Sequence, residues 1–489
     1  MLRVYVKPTA IWITPYKKYS VPALEKGLSV WDPMANRYVN YLYSFEKDDP
    51  KDEYGVLKIP KGYGLDVVEN ILQQNGVVYN VIDDTSNYPI PKKINLELLK
   101  QPKSKVQEDA IQYLKKEQMQ LFLALDVGMG KTYCCVNLAC STRVTTMVIS
   151  YGLSEQWYKR IFEYTNAING KSVIMISSTA YLEDIVKGKT RPNACIYLVS
   201  ISTLMLYMNK YGKDSIQKIA DVLGIGLKIF DEAHVRYLQF NDIDLNMQVA
   251  KTIYLSATPG RSQYNEDKMF KKIYSHVETF GSFTQKLNDY YIIRYLTMDS
   301  HSTAKDRSVL KSARGFSSLK YTDYLFTKYH NEVLEMVMTY AKPILDEDKK
   351  GKILIVVDWL KYIDSAKQYL CENYPEYSCG AYCNIIKDKI ERQQELDKRI
   401  IFGTIGSMQN GRDIENLRAI FAFTQFSSSI VAQQLLGRLR RIPDKDVFYY
   451  DISDRSIPDT LNMRFRRGKI FNDRAKGEIF NDYIDLDRF

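Results

Sequence analysis

The 489-residue sequence is poor in the groups that build metal centres and disulfide frameworks. Its seven cysteines form no C-x-x-C pair, the spacing of zinc and redox sites, so reduced core thiols are expected. Four histidines, at positions 234, 276, 301 and 330, are too few for a multi-histidine centre with any to spare. Long apolar runs are missing as well. The longest, such as Ile353–Val357 and Leu121–Leu125, have strand length, far below the ~18 residues of a membrane-spanning helix. Repeats of short period and low-complexity tracts are absent, and Met1-Leu-Arg-Val-Tyr-Val6 lacks the apolar core of a signal peptide. A cytoplasmic protein without a membrane partner is the expectation.

What is present is ordinary globular composition, 45% apolar and 26% charged. At roughly 100–200 residues per domain the length suits about three domains. Sixty-eight basic residues against 58 acidic ones leave a formal charge of +10. That admits a polyanionic partner, although mild basicity alone is a weak sign of one.

Residues 1–95 carry short β-branched and aromatic runs, Leu2–Val6, Ala10–Thr14, Arg37–Ser44 and Val56–Ile59, with a helical pattern over Leu65–Gln74. This predicts a small, strand-rich α+β domain. Tyr88-Pro-Ile-Pro-Lys-Lys93 breaks regular structure and reads as a linker. Over 96–295 short apolar strands (Leu121–Leu125, Thr146–Ser150, Cys195–Ser200, Lys228–Phe230, Thr252–Ser256) alternate with amphipathic stretches, the rhythm of a doubly wound parallel sheet. A Lys/Ser/Tyr-rich passage interrupts it, so 296–340 reads as a linker with helical content. The rhythm resumes over 341–455 with Ile353–Val357, Arg399–Gly403, Arg418–Phe423 and Val447–Ile452, and 456–489 is left as a basic tail. The fold class is thus α/β, two parallel-sheet domains in tandem behind a small leading domain.

Leu125-Asp-Val-Gly-Met-Gly-Lys-Thr132 lies between an apolar strand and a helical stretch, where a phosphate-binding loop belongs. Gly128 and Gly130 free successive N–H groups to face a β-phosphate, Lys131 supplies charge to the β/γ-phosphates, and the Thr132 hydroxyl can ligate Mg²⁺. The first glycine of the general G-x-x-x-x-G-K-T pattern is replaced by Leu125. One hundred residues later Leu227-Lys-Ile-Phe-Asp-Glu-Ala-His234 sets two carboxylates at the end of a buried strand. Asp231 can hold Mg²⁺, and Glu232 can polarise the water that attacks the γ-phosphorus. His234 fits either a contact to the second unit or a satisfied core histidine.

The order of the remaining motifs resembles superfamily 2 helicases over roughly residues 100–450, which implies two RecA-like domains, ATP and Mg²⁺. Gln107, 24 residues before Lys131, resembles the glutamine that reads adenine, and Asp126–Thr132 is similar to the Snf2-type motif I, with Val127 where that group has Glu. On this resemblance Gln107, Gly128, Met129, Gly130, Lys131 and Thr132 contact nucleotide, joined by Gly411 and Asp413 of a motif V-like segment, Thr404–Ile414. Val148–Trp157 resembles motif Ia and Val199–Leu204 motif Ib, which implies strand-backbone contacts from Ser150, Ser202, Thr203 and Thr404. Ser256-Ala-Thr-Pro259 matches motif III and implies a coupling role for His234, Ser256 and Thr258. Gln434-Leu-Leu-Gly-Arg-Leu-Arg-Arg441 fits motif VI. There Arg441 and Arg438 would reach the γ-phosphate as arginine fingers, with Gln434 beside them.

Within the superfamily the segments after residue 340 resemble phage UvsW-type branch-migration helicases, cousins of RecG and XPB-like enzymes. This implies an ATP-dependent DNA translocase that remodels forked or four-way DNA while tracking on a single strand. Recombination, repair or replication would be its setting, with proteins of those processes as partners. Arg464, Arg466 and Arg467 form a basic cluster suited to phosphate contact, and residues 1–95 are expected to grip a duplex arm. Two other readings stay open. An RNA helicase of the DEAD-box type would have Asp in place of His234 and His in place of Gln434. A non-catalytic DNA-binding scaffold would have lost some of Lys131, Asp231, Glu232 and Arg441, and none is lost.

Overall fold

Strands form where the sequence concentrates its short apolar runs. The computed structural model describes them over residues 1–489 apart from 33–36, 40, 48, 127, 153, 169, 258–263, 282–289, 313–314, 359, 384–385, 387–390, 392–393, 410–413, 443 and 489. The chain divides into two compact units, Met1–Phe283 and Thr284–Phe489. Among the described residues no helix is long and apolar enough to cross a membrane.

The first unit begins with a mixed sheet in the order Ser44–Glu46, Tyr54–Pro60, Ala10–Lys17, Leu2–Val6, Tyr79–Asp83. Its last pair is parallel and its other pairs antiparallel, with the helix Leu65–Gln74 in the crossover. The run expected as one strand over 37–44 is two, Arg37–Val39 and Ser44–Glu46. A second sheet follows, parallel throughout. It runs edge to edge as Val173–Ile176, Ile196–Ser200, Thr146–Ser150, Leu227–Phe230, Lys251–Ser256, Gln120–Ala124 and Glu278–Gly281. Helices including Lys131–Thr142, Ser154–Tyr164 and Ile201–Tyr211 connect these strands and bury their apolar faces against them.

The small domain does not stand apart from this sheet. Val4, Ile11, Ile13 and Leu57 belong to one apolar core with Phe122, Ile243 and Tyr254. Polar bonds reinforce the seam: Thr9 donates through its N–H to Gln248 Oε1 at 3.0 Å and through its hydroxyl to Asp244 O at 2.8 Å. Buried Lys58 donates to Asn246 Oδ1 at 2.7 Å. At Gly62 the backbones come so close that a Cβ would lie 2.1 Å from Ile273 O. The boundary expected near residue 95 is therefore a change of sheet, not of compact unit.

In the second unit all strand pairs of the main sheet are parallel, in the order Cys379–Tyr382, Ile400–Gly403, Lys352–Val356, Leu417–Ala422, Val447–Asp454, Tyr291–Asp299 and Phe480–Asp485. Two expectations change here. The passage 296–340 is no linker: Tyr291–Asp299 is inserted between two strands from the end of the chain, and the helices Ser318–Lys328 and His330–Glu347 follow. The tail 456–489 is likewise built in, as the helix Pro458–Arg474 and the edge strand Phe480–Asp485. Neither strand is an unbroken apolar run, because polar side chains such as Arg294 and Asp482 pair with one another at 3.3 Å.

An ion cluster around buried Arg418 and Asp348 ties helix His330–Glu347 to the sheet. Arg418, 1% exposed, donates to Asp348 Oδ2 at 3.1 Å and Glu347 Oε2 at 2.8 Å, and Lys445 lies 2.7 Å from Asp348 Oδ2. Burial opposes ionisation of Asp348, but the bonds from Lys445 and Arg418 outweigh it and hold the carboxyl down at about 2.

Two expected outcomes follow from these seams. A chain lacking residues 1–95 should be insoluble or melt roughly 10 °C or more below the full chain, since each kcal/mol lost moves Tm by about 2–4 °C in units of this size. Comelting of the two in a thermal scan would show the small domain to be dispensable. Asp348 has a depressed folded pKa, so its stabilisation is present above the ordinary carboxylate value and fades as pH falls towards 2. Asp348→Asn should cost about 3 kcal/mol near neutrality. In denaturation series at stepped pH the variant and the parent should converge as pH falls below the ordinary carboxylate value towards about 2.

Candidate functional site

The glycine-rich loop follows the strand Gln120–Ala124 and opens the helix Lys131–Thr142. Gly128 and Gly130 have φ of 85° and 91°, a region that side chains disfavour. At Gly130 space adds a second demand, because a Cβ would sit 2.3 Å from Gln107 Nε2. Gln107 braces this loop: its Nε2 donates to Met129 O at 3.1 Å, and its Oε1 accepts from Lys103 N at 2.8 Å. Among the described residues one amide N–H and one acceptor lone pair of Gln107 are left for a ligand. Lys131 Nζ donates to Leu125 O at 3.0 Å and Asp126 O at 3.4 Å. Thr132 follows in the first helical turn, half-buried. Glycines at positive φ, a lysine and a hydroxyl at a helix N-terminus form a donor set fitted to phosphate oxygens and Mg²⁺.

Parallel register brings the acidic pair to the same end of the sheet. Leu227–Phe230 pairs with Lys251–Ser256, which in turn pairs with Gln120–Ala124. Asp231, one residue beyond its strand, is buried, and its Oδ2 accepts from Trp157 Nε1 at 2.7 Å. Its Oδ1 accepts from Glu232 N at 3.0 Å. Burial and the like charge of Glu232 raise the Asp231 pKa, opposed by the indole hydrogen bond and by the nearby charge of Lys131. A carboxylate with an ionisation cost of this kind is suited to a cation. Glu232 adopts φ 52°, which turns its side chain out of the strand direction. His234 is buried, its Nδ1 2.8 Å from Ser256 Oγ and 3.3 Å from Glu232 Oε2. The chain Glu232, His234, Ser256 thus joins the acidic pair to the end of the neighbouring strand. Thr258 lies outside the described residues, as do Gly411 and Asp413.

In the second unit the helix Ser429–Leu436 is capped by Ser428, whose side chain accepts from Val431 N. Gln434 Oε1 is buried and has no hydrogen-bond partner among the described residues. Arg438 is buried, whereas Arg441 is exposed and borders a cavity of about 580 Å³ with Tyr290 and Lys445. Within the motif, then, Arg441 is the arginine that faces open space.

Several residues expected to meet nucleic acid do not point outward. Ser150 is buried with its Oγ 3.3 Å from Ser154 Oγ. Thr203 is buried and engaged with Ser200, the N-cap of the helix Ile201–Tyr211, at 2.8 Å between hydroxyls. Thr404 is half-buried against Ser407, and Ser202 is exposed. The basic cluster needs the largest correction. Arg467 is fully buried, donating from Nε to Asp451 Oδ1 at 2.9 Å and from Nη1 to Phe426 O at 2.6 Å. Arg464 donates to Asp451 Oδ2 at 3.2 Å, to Thr297 Oγ1 at 2.7 Å and to Leu296 O at 2.9 Å. Asp451 is itself fully buried, and two guanidinium groups compensate it. Arg466 alone of the three is exposed. Trp157, in contrast, closes the motif Ia-like segment Val148–Trp157, in which the sequence gives it no role of its own. The signal that singles it out is the indole N–H aimed at Asp231, which no spacing reveals.

Residues 98–261 match the family described as type III restriction enzyme, res subunit (ResIII). No curated protein matches the chain. Among solved structures, S. cerevisiae Dbp5 bound to RNA and ADP BeF3 aligns at TM-score 0.50 and 16% identity, covering 78% of this chain and 90% of that one. Mss116p bound to ssRNA and AMP-PNP aligns at TM-score 0.53 and 13% identity, covering 77% and 74%. T4 UvsW is covered to 99% in both directions at 13% identity, but its TM-score of 0.35 is too low to carry an argument. The fold is that of tandem RecA-like helicase domains preceded by a strand-rich domain. The family match spans about a third of the chain, and neither it nor the shared fold separates DNA from RNA as a substrate.

The buried arginine network generates a contrast. Arg467→Ala leaves Asp451 under-compensated and should destabilise the second unit by roughly 3–5 kcal/mol. Arg466→Ala should stay within about 0.5 kcal/mol. Equilibrium denaturation of both variants checks this, and equal small effects would contradict a structural role for Arg467.

Proposed function

We propose that the protein is an ATP-driven DNA translocase and helicase that remodels branched or forked DNA. The observation that carries the ATPase part is the placement of the glycine-rich loop, Lys131 and the Asp231–Glu232 pair at one end of a single parallel sheet. In this reading Gly128, Met129, Gly130 and Lys131 enclose the β- and γ-phosphates, and Gln107 offers its remaining amide N–H and lone pair to adenine. Thr132 and Asp231 hold Mg²⁺, which when bound neutralises phosphate charge. Glu232 orients and deprotonates the attacking water, and Arg441 brings positive charge to the γ-phosphate during transfer. Gln434, with its unpartnered Oε1, fits a residue that gains a partner when nucleotide binds. Buried Arg438 serves by positioning the helix end.

The DNA part rests on motif detail. His234 and Gln434 both differ from the residues of DEAD-box RNA helicases, and the motif V and VI spacing after residue 400 is similar to that of UvsW-type enzymes. Dbp5 and Mss116p are bound to RNA in their structures, so RNA is the competitor to be tested. Arg466 and Ser202 are exposed candidates for backbone contact, and Gly411, Asp413 and Thr258 keep the roles the motifs imply. Residues 1–95, fused to the first sheet, would carry a duplex arm rigidly with the motor. Proteins of recombination or replication would be partners.

The expected outcome is ATP turnover stimulated more by forked and four-way DNA than by RNA at one fixed salt concentration, since backbone contacts make every such affinity salt-dependent. Lys131→Ala and Glu232→Gln should each lose about 10²-fold or more in turnover, with nucleotide affinity retained by Glu232→Gln only. Arg441→Ala should lose hydrolysis while binding ATP. Stimulation by RNA above that by every DNA would overturn the DNA reading. Equal loss of nucleotide binding in the Lys131 and Glu232 variants would overturn the assigned roles.

A further inference from the structure

Trp157 stands out among the groups that the reading above leaves unused. It lies on the helix Ser154–Tyr164, is almost fully buried, and directs its Nε1–H at Asp231 Oδ2 from 2.7 Å. The other carboxylate oxygen is fixed by the Glu232 N–H at 3.0 Å. Each oxygen of Asp231 is therefore held by one donor, and the plane of the carboxylate is set.

The chemistry of these donors is specific. An indole carries one N–H, no acceptor and no charge. It can orient a carboxylate without neutralising it, whereas a lysine or arginine in the same place would compete with a cation for its charge. The ring also fills the space beside the carboxylate, and its surroundings are apolar: Trp157 packs in one core with Leu123, Cys135, Val148 and Ile161. Water is thus kept from the back of Asp231, and among the described residues its remaining lone pairs accept no other hydrogen bond. Neighbours that hold a metal-binding carboxylate in this way contribute substantially to metal affinity.

The same helix has a second attachment. Its first residue, Ser154, is bonded to Ser150 at the end of the strand Thr146–Ser150, and this strand pairs directly with Leu227–Phe230, the strand that ends at Asp231. The helix is consequently tied by Ser154 to a strand terminus and by Trp157 to the carboxylate.

We propose that Trp157 is a positioning residue that sets the orientation of Asp231 for a divalent cation bound with nucleotide. This rests on the nucleotide reading of the site. In this role Trp157 acts through Asp231.

The test replaces Trp157 in the full-length chain by Phe, and separately by 3-benzothienylalanine, which keeps the bicyclic shape and puts sulfur in place of N–H. Mn²⁺ affinity of the protein–ADP complex is measured by electron paramagnetic resonance, and ADP affinity is measured in excess chelator. Both variants should bind Mn²⁺ about 10-fold more weakly, with metal-free ADP affinity within about twofold of the parent. The Mg²⁺ concentration giving half-maximal turnover should rise by a similar factor while the turnover at saturating Mg²⁺ changes less. Unchanged Mn²⁺ affinity in the benzothienyl variant would overturn the role of the N–H, and so would an equal loss of metal-free ADP binding, which marks general damage to the site. Failure of the underlying reading shows elsewhere, as parent protein that binds no ADP, and it would remove this role as well.

Discussion

Strands of a parallel sheet covered on both faces leave a charged side chain almost nowhere to go except past the strand's end. That constraint organises the first unit. Phe230 is level with Ile149 on one side and Tyr254 on the other, Ser256 is level with Ala124, and Ser150 with Ser200. The residues that follow these positions, the glycine-rich loop, Asp231 and the capping serines, are therefore brought to one edge although more than one hundred residues separate them in sequence. Lys228 shows what the alternative requires. It is fully buried within the strand Leu227–Phe230, and it is accommodated only because Asp244 lies 2.6 Å from its Nζ and Met247 O accepts from it at the same distance. Even so, burial lowers its pKa. A second such exception in the same strand would cost several kcal/mol in desolvation.

The sequence made this arrangement legible where chemistry and periodicity coincide. Leu2–Val6 and Leu65–Gln74 occur over the residues expected, and five of the seven strands of the first parallel sheet lie within a residue or so of the apolar runs that predict them, whereas no run marks Val173–Ile176 or Glu278–Gly281. The loop is readable because glycine at positive φ has few substitutes, and the acidic pair because two adjacent carboxylates ending an apolar run have few structural uses. Strands with mixed faces were not readable. Tyr291–Asp299 contains Arg294 and Thr297, whose partners Asp482 and Asn481 lie almost two hundred residues away. Polarity that reads as a linker is, in the fold, half of a cross-strand pair.

The arginines of the last long helix illustrate the same limit more sharply. Thr460, Arg464, Arg467 and Phe471 are all buried, and their spacings of four, three and four mark one helical face. Residue type suggests a basic surface; spacing places two of the three arginines on the inward side. Deciding between them requires Asp451, an acidic residue on the strand beneath, fully enclosed and able to accept from both guanidinium groups. Charge in a sequence is thus evidence about partners, and the partner can be inside the same chain.

That inward turn has a consequence for the motif VI helix. Arg467 donates to Phe426 O, and Gln425, within reach of the Arg467 Nη2 at 3.5 Å, is itself tied to Phe423 O and Ile452 O. The loop 423–428 is therefore held from behind by a helix that comes later in the chain, and its last residue, Ser428, caps the helix that leads to Gln434, Arg438 and Arg441. A guanidinium with several fixed acceptors restrains a loop better than a single hydrogen bond, because displacing the loop breaks charge-assisted bonds in a site that water does not reach. The exposed Arg441 follows five residues beyond the end of that helix, Ser429–Leu436, whose starting loop is held in this way. In the proposed role for Arg441, a fixed support would let its positive charge stabilise a transition state without reorganisation at the moment of reaction. The terminal segment, expected as a basic appendage for phosphate contact, instead turns its buried arginines inward and holds the loop that starts the helix Ser429–Leu436.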